Sequence, residues 1–210
     1  MTTMGAIRGS DTRALSERRT RTVHSILGAA MRIVEEEGIA GLSMSNLAQR
    51  AGVSRQTLYN YYPDVDAVLG GLVEMGDAGT DDLAAQLSAA PDAAASLALF
   101  VSAVVTSVAA GHPSPMALAS ALPASHRDAL AAHQQDTEGL VRIILRQGRE
   151  EGTFRADIDP ELDGRILYRA AFAAAELARG PDADPDALAR HLTRDLLAMV
   201  AAAGVSDRPG

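Results

Sequence analysis

Apolar residues recur along this chain three and four positions apart, the spacing that lines one face of a helix. No stretch alternates with period two for long enough to predict a strand. Val23, Ile26, Leu27, Ala30, Ile33 and Val34 predict a first helix over about 18–37, while residues 1–16 lack such a period and predict a disordered arm. Ser43 is a natural N-cap for the next helix, on which Leu47, Ala48 and Ala51 share a face. Gly52 is the residue that most cheaply ends that helix in a left-handed conformation. Ser54 then caps a third helix, placing Leu58 where it can fold back onto Leu47 and Ala48. Pro63 and Asp64 open a fourth, with Asp64 as its cap and Val68, Leu69 and Leu72 continuing it. Pro91, Pro113, Pro115, Pro123, Pro160 and Pro185 begin the later helices. The expected fold is all-α with about nine helices: an arm (1–16), a three-helix unit (17–62) and a helical body (63–210).

Packing uses up the apolar positions of the second and third helices. What remains outward on the third is Arg55, Gln56, Thr57, Tyr59, Asn60 and Tyr61, side chains that can donate to base edges and phosphate oxygens. Helix, tight turn and polar second helix make a helix-turn-helix. The net charge of −8 argues against a DNA binder until the chain is divided. Residues 1–62 hold eight arginines against five acidic residues, a surplus of three positive charges, so the remainder carries eleven negative ones. A basic head on an acidic body is the asymmetry expected if only the head touches phosphate. Tyr59 and Tyr61 point away from the Leu58 face, whereas Tyr62 fits a core position. The DNA-contact candidates are Arg18, Arg19, Ser43, Ser45, Ser54, Arg55, Gln56, Thr57, Tyr59, Asn60 and Tyr61.

The run AGVSRQTLYNYY, its continuation PDVDAVL and the preceding ILGAAMRIVEEEGIAGLSMSNLA together resemble the TetR family of one-component transcriptional regulators, over roughly residues 20–70. The resemblance implies a homodimer formed through the C-terminal helix pair, residues 160–203, that reads a palindromic double-stranded operator. It further implies a repressor released from DNA by a small-molecule effector bound among the central helices. The sequence departs from the family at Val65, where Lys is common and meets a phosphate. That contact is then missing, or supplied by Arg18, Arg19 or the helix N-terminus.

In the body, residues 93–110 run without a charge for nearly the length of a membrane span. The segment is rich in Ala, broken by Ser and Thr and without basic flanks, so a helix buried all round is expected and no membrane partner. Leu162, Ile166, Ala170, Ala173 and Leu177 make one apolar stripe near the C-terminus, and Leu188, Leu192, Leu196 and Met199 another. About half must serve the core of the subunit, and the small residues between them permit close packing of a second copy.

The chain has no Cys, which fits a reducing compartment, and its N-terminus carries no apolar signal core, so a cytoplasmic location is expected. The five histidines are scattered; His126 and His133, seven apart with Asp136 nearby, lack the spacing of a metal site. There is no glycine-rich phosphate loop and no nucleophile elbow, so neither catalysis nor a cofactor is expected. The alternative class is an all-α small-molecule carrier or enzyme that does not bind DNA. The body is poor in aromatic residues, so a pocket would have mainly aliphatic walls, with Phe100, Met116, Leu118, Leu140, Ile144 and Phe172 as candidates. A small, largely aliphatic effector oriented by His133, Gln134 or Glu176 is expected, and Phe154, after Gly152, should plug the space between helices.

Overall fold

The computed structural model describes residues 4–110, 112, 115, 118–119 and 122–202, and of 4–17 the backbone alone. Eight α-helices lie among the described residues: α1 (Met4–Glu37), α2 (Met44–Ala51), α3 (Arg55–Tyr61), α4 (Val65–Ser88), α5 (Ala93–Ala109), α6 (Ala124–Glu150), α7 (Leu162–Ala175) and α8 (Pro185–Val200). Short 3-10 turns occupy Ile39–Gly41 and Glu176–Arg179. The all-α expectation holds, with eight helices here against about nine expected. The stretch Pro113 was expected to open lies partly outside the described residues. The chain divides into two compact units, Met1–Leu72 and Val73–Gly210, so the division falls inside α4.

In the first unit α1 begins at Met4, upstream of the start at 18 that apolar spacing suggested. The extension contains no proline, and helix needs no apolar face where nothing has to be buried. Ile26, Leu27, Ala29, Ala30, Ile33 and Val34 are buried, as are Leu47, Ala48, Leu58, Val68 and Leu69. The last two lie near the start of α4, whose cap is in place: the Ala67 amide donates to Asp64 Oδ1 at 2.8 Å. Residues 63–72 belong to this unit because they pack in it. A Cβ on Gly71 would lie 2.9 Å from the Tyr62 ring and 3.2 Å from Leu27.

The second unit is built on α5, which buries Leu97, Phe100, Val101, Val104, Val105 and Val108. Against them lie Val141, Ile144 and Leu145 of α6, Leu167, Ala171 and Phe172 of α7, and Leu192, Leu196 and Val200 of α8, in one contiguous cluster. A fully buried Leu or Val side chain contributes about 1.5–3 kcal/mol, so this cluster is the main stabilising element of the unit. α5 is not buried all round, contrary to the sequence expectation: Ser102 and Thr106, four apart on one face, are exposed. Among the described residues no helix is long and apolar enough to cross a membrane.

Acidic residues set the helix starts. Asp92 accepts from the Ala95 amide, Asp184 from Ala187, and Asp159 from both Glu161 and Leu162. The link between α6 and α7 turns at Gly152, whose φ of 73° is open to glycine at little cost. Phe154 follows, 2 % exposed, its amide donating to Gly148 O at 2.9 Å. It is the plug expected, and it fits only because Gly148 has no side chain: a Cβ there would fall 2.0 Å from the ring.

Candidate nucleic-acid interface

The helix-turn-helix is assembled by caps that the local sequence supplies. Ser43 Oγ accepts from the Asn46 amide at 3.2 Å, and Ser54 Oγ from the Thr57 amide at 3.0 Å. Between them Gly52 sits in the left-handed region at φ 68°, and its amide donates back into the last turn of α2. Leu47 and Leu58, both fully buried, hold α2 and α3 to the core of the first unit. α3 therefore buries one residue, Leu58, and leaves Arg55, Gln56, Tyr59 and Asn60 exposed.

Of the six residues expected to face outward, four are exposed. Arg55, Gln56, Tyr59 and Asn60 are exposed, Tyr59 at 51 %, while Thr57 and Tyr61 are half-buried. These side chains are already organised. One Arg55 amino group donates to Ser45 Oγ at 2.5 Å, joining the first turns of α2 and α3. Gln56 Nε2 donates to Asn60 Oδ1 at 3.2 Å, which leaves the Asn60 amino group and the Gln56 carbonyl outward. Thr57 shares a hydroxyl contact with Ser54 at 2.8 Å. Arg19 of α1 stacks over the Tyr61 ring with its guanidinium carbon 5.3 Å from the centroid, so one basic residue upstream is tied to the end of α3. Arg18 is exposed beside it in sequence. Val65, where the family departure falls, is the first residue of α4 and half-buried.

Three features of this unit were not legible in the sequence. Arg50 forms ion pairs with Glu36 and Glu37, so it adds no free charge to the head. Its hydrogen bond to Glu36 is the first cause that raises its pKa above the usual arginine value. Asn46 donates to Gly41 O at 3.0 Å and to Glu37 at 3.2 Å, fixing the entry of α2 against the end of α1. Ser25 Oγ donates to Ala51 O at 3.1 Å, across 26 residues of sequence. Each pairs residues whose types are ordinary and whose proximity exists only in the fold.

The residues proposed for an effector are all in the second unit. Phe100 and Ile144 are 1 % and 2 % exposed, and Leu118 and Phe172 are also buried. Leu140 is half-buried, and Met116 lies outside the described residues. His133 Nδ1 is 2.9 Å from Asp77, Gln134 donates to Pro115 O at 2.9 Å, and Glu176 pairs with Arg179 at 2.9 Å. An open groove of about 330 Å³ runs between α4 and α6, lined by Asp77, Thr80, Asp81, Asp136, Arg142 and Leu140 among others. Of the candidates Leu140 is on its wall, and Phe100, Ile144 and Phe172 are not. Among the described residues no group of three His, Cys, Asp or Glu side chains could hold a metal ion.

A helix-turn-helix with a polar, exposed second helix is the architecture of a nucleic-acid-binding domain. Residues 26–70 match the profile of bacterial regulatory proteins, tetR family. Over 74 residues the chain is 36 % identical to the HTH-type transcriptional regulator EthR of Mycolicibacterium smegmatis, a match covering 33 % of this chain and 34 % of that relative. The chain thus spans about a third of that curated relative's length. The fold extends further. The fatty acid degradation regulator FadR of Bacillus halodurans superposes with a TM-score of 0.69 at 22 % identity, over 89 % of this chain and 97 % of that one. The transcriptional regulator FadR of Bacillus subtilis, solved with stearoyl-CoA, does so at 0.67 and 18 %, over 82 % and 96 %. The helix-turn-helix segment is thus similar to the DNA-binding region of the tetR family of bacterial regulatory proteins, and the whole chain shares the fold of such regulators.

Proposed function

We propose that this protein is a ligand-responsive DNA-binding transcriptional regulator that acts as a repressor. The observation that carries the reading is α3, whose Leu58 is fully buried while Arg55, Gln56, Tyr59 and Asn60 are exposed. A helix of that kind, capped and held by α2, presents bidentate donors to the major groove. The protein acts as a homodimer through α7 and α8. In support, the stripe Leu162, Ile166 and Leu177 stands 57 %, 45 % and 69 % exposed, an apolar face that a lone subunit has no use for. The second stripe does less: Leu192 and Leu196 are buried within the subunit, and Met199 is 53 % exposed. Two copies related by a two-fold axis read a palindromic operator.

The effector is small and largely aliphatic and binds in the second unit, whose interior is almost wholly Leu, Val, Ile and Ala. The Bacillus subtilis regulator of the same fold was solved with stearoyl-CoA, whose acyl chain is a long aliphatic group. Selection of bound duplexes from a random pool tests the DNA reading. A palindromic consensus should emerge, and log Kd should rise steeply with log salt. An all-α carrier would enrich no sequence and show no such slope, and that result would retire the proposal.

A further inference from the structure

Tyr168 of α7 is 3 % exposed, its ring tilted at 55° to Phe172 with centroids 4.9 Å apart. Among the described residues its hydroxyl has no hydrogen-bond partner. The other buried polar side chains described in this unit are satisfied: Ser96 donates to Asp92 O at 3.0 Å, and Thr137 to His133 O at 3.0 Å. Arg179 is held by Glu176 and by the His112 carbonyl. The polar residues nearest to hand for an effector, His133, Gln134 and Glu176, are likewise engaged. A buried hydroxyl that forfeits its bonds to water without a replacement asks for an explanation.

Its chemistry restricts the partner. Burial first, and the Glu138 carboxylate second, push the phenol's pKa up, with Arg169 opposing, so the group is a proton donor at any physiological pH. Glu138 is 15 % exposed and clasped by Arg142 at 3.8 Å and Arg165 at 3.5 Å. An anionic ligand would meet that carboxylate, and a cationic one would find it already paired. The cluster to which Tyr168 belongs is apolar, with Val141, Ile144, Leu167 and Phe172 among its buried members and Leu140 packed against it.

We propose that Tyr168 is the polar anchor of the effector site, donating its hydroxyl to a neutral carbonyl oxygen on an otherwise aliphatic ligand. This rests on the reading that the second unit binds an effector. A ligand that supplies the missing acceptor favours whichever form of the protein admits it, and that preference is what an effector needs to shift an equilibrium.

The test uses the full chain and Tyr168→Phe, with methyl hexanoate, methyl octanoate and methyl decanoate as neutral acceptors. Octanoate and octylammonium are the charged controls. Thermal shift and calorimetry should show an ester binding the wild type, about tenfold more weakly to Tyr168→Phe. The unliganded variant should melt no lower than the wild type, since its hydroxyl makes no bond to lose. The carbonyl stretch of the bound ester reads the bond in the wild type itself and should move to lower frequency. Equal ester binding by both proteins, or an unshifted stretch, would overturn the anchor while leaving the effector reading intact. Preference for octanoate or octylammonium would overturn it in favour of an ionic anchor. No binding by any probe to either protein would end the aliphatic effector reading and this proposal with it.

Discussion

Arg55 is the residue on which DNA specificity turns. The sequence contains no lysine, so every cationic side chain here is an arginine fork able to bond a guanine edge or a phosphate in two places. Arg55 is the only charge on α3, and in the free protein it rests on Ser45 Oγ. That contact holds the guanidinium at the front of the helix-turn-helix, lowering the entropy lost when DNA arrives. Arg55→Ala should weaken binding to the selected operator by about 1–3 kcal/mol and relax preference at one base step. Binding measured to the operator and to variants at each position checks this. A uniform loss on all sequences would place the arginine on phosphate. Arg50 makes the contrast: the same residue type five positions earlier is consumed by Glu36 and Glu37.

At the scale of elements, α6 and α7 depend on a glycine that no pattern of apolar residues marks. Gly148 lies in the last turns of α6, and the Phe154 ring occupies the space its side chain would take. The chain segment beyond Phe154 is pinned to the end of α8, with the Arg155 amide donating to Val200 O at 2.9 Å. Gly148→Ala should therefore destabilise the fold by about 1–3 kcal/mol, despite the higher helix propensity of Ala. Denaturant unfolding would measure it, and Phe154→Leu in the same background should recover part of the loss, since the two sites touch. A neutral Gly148→Ala would mean the ring moves aside freely.

For the whole molecule, the exposed stripe on α7 is the feature that decides assembly. Ile166 is 45 % exposed and one turn from the exposed Leu162 of α7, with Leu177 exposed in the 3-10 turn that follows, so Ile166→Glu changes little within one subunit. It would bury a charge at the proposed interface. The variant should sediment as a monomer at concentrations where the wild type is a dimer, keep its helical signal, and lose most of its affinity for a palindromic operator. A dimer that persists would put the interface elsewhere. Charge works at this scale too: the head's surplus is three positive formal charges, against eleven negative ones beyond it. The arginines of the head should give DNA binding its steep salt dependence, and α3 its sequence preference.

By itself the sequence determined the helices and their caps, because those are local. Ser43, Gly52, Ser54, Asp64 and Asp92 act on amides within a few residues and do so whatever the rest of the chain does. It also determined the two faces of α3, since helical spacing sends Leu58 one way and Arg55, Gln56, Tyr59 and Asn60 the other. Tertiary structure decided what distant residues do to each other. Only the fold pairs Arg50 with Glu36 and Glu37, seats Phe154 on Gly148, and leaves the Leu162–Ile166–Leu177 stripe bare while the Leu192–Leu196 stripe is covered. Two stripes of equal apolar spacing are indistinguishable in sequence, and which one meets α5 depends on the rotation of each helix. The unpartnered hydroxyl of Tyr168 is of the same kind: whether a buried polar atom finds a partner depends on every side chain around it, and spacing along the chain carries no record of that.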